Sequence, residues 1–292
     1  METPEEMEFH PVFKHSKWGG TAYGVNWGIY DGDAAEVLRH FPEQVVDCVV
    51  TSPPYFWLRD YGVQGQLGVE DTVEGYVDNV TSVMNEVRRI LKKDGLLFLN
   101  LGDTYYSGKG ESQGIDKKST KRRFGIRAVD KSGGLGIGLS RKSLIGIPWR
   151  VAIKLATSGW VLRSSIIWHR ESRLPEPVKD RPSRSYEYVF MFSRDRYYYF
   201  NKQPLIDQKV EEDMWTIAAR PRNNDGLDTA PYPDLLVRRC LEIGCKPGGL
   251  VLDPFLGGGT TVRVASGLGH PAVGIDLNVD FCEYAAAQLR SL

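Results

Sequence analysis

Apolar positions in this chain fall into two kinds of run. Residues 45–50 (Val-Val-Asp-Cys-Val-Val), 96–101 (Leu-Leu-Phe-Leu-Asn-Leu), 250–252 and 272–275 are short and nearly continuous, the pattern of strands buried on both faces in a parallel sheet. Between residues 76 and 91 the spacing changes, and Val77, Val80, Met84, Val87 and Leu91 recur on one helical face. Lys92-Lys93-Asp94-Gly95 is expected to end that helix. Pro148 opens a second helix that closes at Thr157 before Gly159. Residues 160–168 and 186–192 read as strands, the latter paired with Tyr197-Tyr198-Tyr199-Phe200, and residues 281–289 form a last helix. Strands alternating with helices over 292 residues predict one large α/β domain spanning 1–292, with an insert.

Two of the predicted strands run into loops with chemistry on them. The first carries Thr51-Ser52-Pro53-Pro54-Tyr55. Successive prolines fix φ and remove two backbone donors, so the strand stops in a stiff, exposed turn. Their carbonyls remain as acceptors, Ser52 adds a hydroxyl, and Tyr55 offers a flat ring. Acceptors beside an aromatic plate suit a flipped-out base presenting an NH₂ group. Taken alone, the stretch reads first as a Pro-Pro turn closing a strand, and only a second motif near the other end of the chain shifts that balance.

The second loop follows residues 249–252 and reads Asp253-Pro254-Phe255-Leu256-Gly257-Gly258-Gly259-Thr260-Thr261, with a helix starting at its end. Glycines allow a ligand to approach backbone where a Cβ would clash. A further strand ends at Asp276, 19 residues after Gly257, where an acid meets ribose hydroxyls in nucleotide folds. No Gly-Lys-Ser/Thr follows, which disfavours a P-loop. Asp253-Pro254-Phe255 also departs from a dinucleotide fingerprint and suits a cationic, amine-bearing ligand instead.

Together the two motifs resemble the permuted "beta" group of DNA amino-methyltransferases, in which the catalytic Ser/Asp-Pro-Pro-Tyr precedes the cofactor motif. The resemblance covers most of the chain. It extends to Tyr30-Asp31-Gly32-Asp33-Ala34, similar to the acidic loop near the cofactor adenine. Trp168-His169-Arg170 and residues 180–188 are similar to later catalytic-domain motifs, and residues 230–236 to the segment under the methionine moiety. It implies a Rossmann-like methyltransferase fold with a mostly parallel sheet, one antiparallel strand and circularly permuted motif order. It also implies S-adenosylmethionine as cofactor and double-stranded DNA as substrate. By the same resemblance Ser52, Pro53, Pro54 and Tyr55 are catalytic. Asp33, Pro231, Asp253, Pro254, Phe255, Gly257, Gly259, Thr260, Asp276 and Asn278 bind the cofactor. Serine in the first motif goes mostly with cytosine N4 in this family, and aspartate or asparagine mostly with adenine N6. Cytosine N4 is therefore the expected target and adenine N6 the alternative. An inactive DNA-binding protein on the same scaffold would have lost catalytic or cofactor residues, and neither motif is degraded. A homodimer and a cognate restriction endonuclease are partners that the resemblance allows.

Hydrophobic residues at 41% and charged residues at 25% are ordinary for a globular protein. No apolar run approaches a membrane span, and Met1-Glu2-Thr3-Pro4-Glu5-Glu6 does not read as a signal peptide. A cytoplasmic, nucleoid-associated enzyme of a prokaryote or phage is expected, without membrane partners. Cys48, Cys240, Cys245 and Cys282 form no C-x-x-C pair, so no metal or disulfide framework is expected. None follows a proline, which argues against a Pro-Cys nucleophile. Net charge is zero, so contact with DNA demands local asymmetry. Residues 107–150 hold eleven Lys/Arg against three acids, densest at Lys117, Lys118, Lys121, Arg122, Arg123 and Arg127. A charge run is usually a solvated surface. Here it follows a strand's C-terminal end, where ligand-facing loops sit, so residues 107–145 read as a basic insert contacting phosphates. Residues 201–229 are polar, with Trp215 as their main apolar anchor, and read as a segment sharing in target recognition.

Overall fold

β3 (Val46–Thr51) is buried at all six positions and forms the middle of the sheet. In the computed structural model, which describes residues 10–59, 61–106, 138–140, 142–171, 179–219 and 231–292, it lies between β8 (Val251–Asp253) and β4 (Leu91–Leu101). Beyond β8 come β9 (Ala272–Asp276), β2 (Val25–Asp31) and the edge strand β1 (Trp18–Ala22). Beyond β4 come β6 (Tyr186–Ser193), β5 (Val161–His169) and β7 (Met214–Thr216). Among the described residues the sheet order is therefore β1-β2-β9-β8-β3-β4-β6-β5-β7. β6 runs antiparallel to both neighbours, the reversed strand the sequence led us to expect. β1 adds a second reversal at the edge.

Period-2 alternation divides the core. Val49, Leu97, Leu99 and Leu101 face α1 (Ala34–Arg39), α2 (Val73–Ile90) and α3 (Ile147–Thr157). Cys48, Val50, Leu96 and Phe98 face α5 (Asp234–Gly244), α6 (Thr260–Gly267) and α7 (Val279–Arg290). A short helix, α4 (Gln203–Asp207), adds Leu205 to that second face. The connection after β3 thus goes to one side of the sheet and that after β8 to the other. Between two such neighbouring strands a crevice opens at their carboxyl ends, the usual ligand position in open α/β sheets. At the opposite end, Asp47 binds Lys92 at 2.8 Å and the Leu250 amide at 2.9 Å, tying the starts of the three central strands.

Three expectations change. α2 stops at Ile90, because Leu91 is already extended (φ −70, ψ 134) and pairs with Val46 at the start of β4. Lys92-Lys93-Asp94-Gly95 are strand residues; Lys92 sends its side chain to Asp47, and Asp94 pairs with Lys246. Tyr197–Phe200 forms no hairpin with β6, since β4 and β5 already occupy both edges of that strand. Instead the Tyr199 amide binds the Asp94 carbonyl at 2.9 Å. Trp215, the apolar anchor of residues 201–229, is fully buried in β7, which pairs with β5. Residues 220–230 lie outside the described residues. The four cysteines are buried. No helix among the described residues is long and apolar enough to cross a membrane.

Gly244 shows how tightly the second core is packed. A Cβ built there would lie 2.3 Å from Cε2 of the buried Phe98. Gly244→Ala should therefore destabilise the fold by about 1–3 kcal/mol through overpacking. Urea unfolding of variant and wild type checks this, and an unchanged midpoint would refute close contact between α5 and β4.

Candidate active site

The C-terminal ends of β2, β9, β8, β3 and β4 all open on one edge of the sheet, joined there by the start of β6. Thr51, the last residue of β3, donates through Oγ1 to Oδ1 of Asp253, the last residue of β8, at 2.7 Å. This fully buried bond sets the Ser52-Pro53-Pro54-Tyr55 turn beside the glycine turn. Asp253 also accepts from the Phe255 amide at 3.1 Å and from Tyr232 at 2.9 Å. Tyr232 is itself bonded to Thr261, which donates to the Val50 carbonyl at 3.2 Å. Desolvation pushes the Asp253 carboxyl above its ordinary range, against the pull of Thr51 and its other donors. The aspartate is thus held by the protein, and its role in the structure is to join two loops.

The Pro-Pro turn is stiffened from below. The Pro54 carbonyl accepts from the buried Tyr76 hydroxyl at 2.9 Å, and the Tyr55 carbonyl from the Leu58 amide at 3.1 Å. Among the described residues no backbone donor reaches the Pro53 carbonyl. Trp57 takes a positive φ of 52, its amide bonded to the Gly68 carbonyl and its indole to the Glu70 carbonyl, each at 2.6 Å. Left-handed backbone at a non-glycine costs on the order of 1 kcal/mol or more and persists only where surroundings impose it. Gly68 supplies the room, since a Cβ there would sit 3.0 Å from the Tyr55 carbonyl oxygen.

The glycine turn has two parts with different reasons for glycine. Gly257 has φ 51 and nothing within 4 Å of a built Cβ, so it faces open space. At Gly259 a Cβ would meet Ala285 of α7 at 2.7 Å, so this glycine serves helix packing. Thr260 begins α6, and its buried Oγ1 has no hydrogen-bond partner among the described residues. Asp276, at the end of β9, accepts from the Gly257 amide at 2.7 Å and the Asn278 amide at 2.9 Å. Each of its oxygens keeps a lone pair. Asn278 caps α7 through Asp280, and Asp33 caps α1 through Glu36, so both side chains already have a structural task. The loop holding Asp33 lies against Asp276, whose carbonyl accepts from Gly32 at 2.9 Å. Pro254 and Phe255 continue from Asp253, with Phe255 packed on the first core, and Pro231 precedes the buried Tyr232.

Several site residues escaped the sequence. Tyr55 sends its hydroxyl to Glu187 of β6 at 2.5 Å and lies 3.1 Å from Asn100 Oδ1. Its ring packs on Gly102, where a Cβ would be 2.5 Å away. Asp103 accepts from the Gly146 and Ile147 amides at 3.0 and 3.1 Å, holding the start of α3. Tyr105 bridges Leu144, and Tyr106 exchanges bonds with Ser143 and Lys142 at 2.8 and 2.7 Å. The two ends of the basic insert are therefore pinned next to the Tyr55 ring. Lys117, Lys118, Lys121, Arg122, Arg123 and Arg127 lie outside the described residues. Tyr55 with Glu187 and Asn100, and Asp103 with Gly146, join positions too distant in sequence for spacing to reveal. Among the described residues no cluster of His, Cys, Asp or Glu could hold a metal ion.

A mostly parallel sheet, with a Pro-Pro turn and a glycine turn side by side at its switch point, defines an α/β methyltransferase. Comparison with known proteins agrees. Residues 46–287 match the family described as DNA methylase, and the chain belongs to that family. It is 40% identical over 266 residues to the Type II methyltransferase M.SmaI of Serratia marcescens, covering 88% of this chain and 89% of that protein. It is 38% identical to M.Cfr9I of Citrobacter freundii, covering 90% and 87%. Among solved structures it resembles the PvuII DNA methyltransferase (cytosine-N4-specific) with TM-score 0.68 at 22% identity, covering 94% and 90%. A DNA modification methylase from Thermus thermophilus, in complex with S-adenosyl-L-methionine, matches at 0.63 and 24%, covering 90% and 93%. These neighbours share the Rossmann-like fold.

Asp276 gives a pH signature. Desolvation pushes its carboxyl up to about 6, against the pull of the Asn278 and Gly257 amides. Between about pH 4, the ordinary aspartate range, and pH 6 the folded protein keeps a proton that the unfolded chain has released. Unfolding free energy should therefore rise as pH falls through that window, by up to about 1 kcal/mol per unit from this group. Asp276→Asn cannot titrate and should lack this increment. Urea unfolding of both proteins at several pH values tests it, and parallel pH slopes would contradict the raised carboxyl.

Proposed function

We propose that the protein transfers a methyl group from S-adenosylmethionine to the exocyclic N4 amine of a cytosine flipped from duplex DNA, at Ser52-Pro53-Pro54-Tyr55. The observation that carries this is the Thr51–Asp253 bond, which holds a turn with spare acceptors against a turn with spare polar groups. The glycine turn fits the cofactor: Gly257 leaves open space, Thr260 Oγ1 lacks a partner among the described residues, and Asp276 retains lone pairs for ribose hydroxyls. When bound, S-adenosylmethionine supplies an electrophilic methyl on a sulfonium.

The remaining task belongs to the protein. The lone pair of an aromatic amine is delocalised into its ring, so the free NH₂ is a poor nucleophile. Two acceptors, the Ser52 hydroxyl and the Pro53 carbonyl, each take one N–H and draw the nitrogen towards tetrahedral geometry. Its lone pair is then aimed along the line of transfer. Bound at the glycine turn, S-adenosylmethionine would supply the methyl and leave as a neutral thioether, while the Ser52 hydroxyl and the Pro53 carbonyl would hold the amine until water takes its surplus proton. Positioning and electrostatics suffice, and no covalent intermediate with the protein is formed. Tyr76, which takes the Pro54 carbonyl, keeps the turn from swinging away. Ser52 favours cytosine N4 over adenine N6 on the resemblance of its motif.

Incubating the protein with unmethylated genomic DNA and labelled S-adenosylmethionine, then digesting to nucleosides, tests the reading directly. N4-methylcytosine is the expected product, N6-methyladenine would change the base while keeping the amine site, and no labelled base would overturn the proposal. Ser52→Ala should slow single-turnover transfer by roughly 10²-fold or more, the scale for losing a positioned polar group. Cofactor affinity should stay near wild type, and a wild-type transfer rate would place the amine elsewhere.

We assign the basic insert to phosphates. Replacing Lys117, Lys118, Lys121, Arg122 and Arg123 with Ala should weaken binding to cognate and non-cognate duplexes alike. The slope of log affinity against log salt should flatten by about one unit for every phosphate no longer neutralised. Selective weakening on cognate DNA at constant slope would instead make these residues base readers.

A further inference from the structure

Tyr55 is tethered at both ends of its ring system. The ring carbons rest on Gly102, and the phenolic oxygen lies 2.5 Å from Glu187 Oε2. A phenol has one proton to give, and the shorter contact is to the carboxylate, the stronger acceptor. Burial and then the Glu187 charge push the Tyr55 hydroxyl well above its ordinary range, so it stays a donor. Glu187 is in turn fixed by its own partners. Arg170 of the segment after β5 binds Oε1 at 3.0 Å, and the Asn100 amide approaches Oε2 at 3.3 Å while donating to the Tyr188 carbonyl at 3.1 Å. The Glu187 side chain is only 12% exposed, and Asn100 is buried. A lone acid so placed would be costly, and ion pairing with Arg170 offsets that cost.

This arrangement rests on three strands. Asn100 is on β4, Glu187 on β6 and Arg170 just past β5, brought level because Leu101 pairs with Tyr188 and His169 with Tyr186. The reversal of β6 is what brings its first residues to the edge of the sheet that carries the site. The tether reaches only the hydroxyl, and part of Tyr55 remains accessible.

We propose that Glu187, held by Arg170 and Asn100, is a positioning residue that takes the Tyr55 hydroxyl and fixes the plane of the ring on which the target base stacks. The proposal rests on the amine-site reading above. It assigns Glu187 no contact with base or cofactor, and its influence passes entirely through the Tyr55 oxygen.

A double-mutant cycle tests this, with single-turnover methyl transfer from labelled S-adenosylmethionine to unmethylated genomic DNA as the readout. Tyr55→Phe keeps the ring and removes the tether, and Glu187→Gln weakens the acceptor while preserving shape. Each should slow transfer by roughly tenfold, the scale of one hydrogen bond to a charged group. Cofactor affinity by calorimetry should not change. The decisive expectation is non-additivity: Glu187→Gln in the Tyr55→Phe background should cause no further loss. Independent, multiplying effects would overturn the proposal, as would a wild-type rate for Tyr55→Phe. If Glu187→Gln unfolds the chain, Asn100→Ala takes its place in the cycle with the same expectation. Tyr55→Ala separates the two readings. Normal transfer in that variant would remove the amine site itself, whereas loss there with normal transfer in Glu187→Gln would remove only the positioning role.

Discussion

A single buried hydrogen bond, Thr51 to Asp253, joins positions 202 residues apart and decides what the other loop residues can do. Both partners end a central strand, and both are buried, so neither can seek water instead. A buried hydroxyl or carboxylate left unpaired costs on the order of 1–3 kcal/mol, and this pairing removes that cost for both at once. Tyr232 and Thr261 extend the link to the start of α5 and into α6. The Pro-Pro turn and the glycine turn are therefore set at one spacing by the core beneath them, whatever the flexibility of the loops above.

The fold was largely legible because its central strands are buried on both faces. Residues 45–50 and 96–101 announce themselves as continuous apolar runs, and the helix over α2 by its 3.6-residue period. What failed was local. Leu91 satisfies the helical stripe as well as the strand, and only pairing with Val46 decides the matter. The tyrosines at 197–199 have every mark of a hairpin strand, but hairpin formation needs a free edge that β6 does not have. β1, an edge strand with glycine at two of its five positions, carries no continuous apolar run.

The candidate site divides in the same way. Ser52-Pro53-Pro54-Tyr55 and the glycine turn are contiguous motifs, visible without a structure. Partners drawn from other strands are not. Glu187 sits in a stretch whose family likeness was apparent, but nothing in its spacing says that it meets Tyr55 132 residues earlier. Gly102 and Gly68 likewise look like ordinary loop glycines until the ring and carbonyl packed against them are known. Residue type alone also leaves part of a role out: Asp253 invites a cationic ligand, and only the structure adds that it accepts from Thr51, Tyr232 and the Phe255 amide.

The stem formed by Thr104, Tyr105 and Tyr106 with residues 143–145 has an evolutionary implication. Because the chain leaves and returns through paired backbone, capped by Asp103 at the start of α3, the closure of whatever lies between is already fixed. Doubling the length of a flexible segment on such a closed base adds only about 0.6 kcal/mol of entropy cost. The stem therefore acts as a socket. An insertion or deletion between its two sides would leave the stem paired and the residues around Tyr55 where they are.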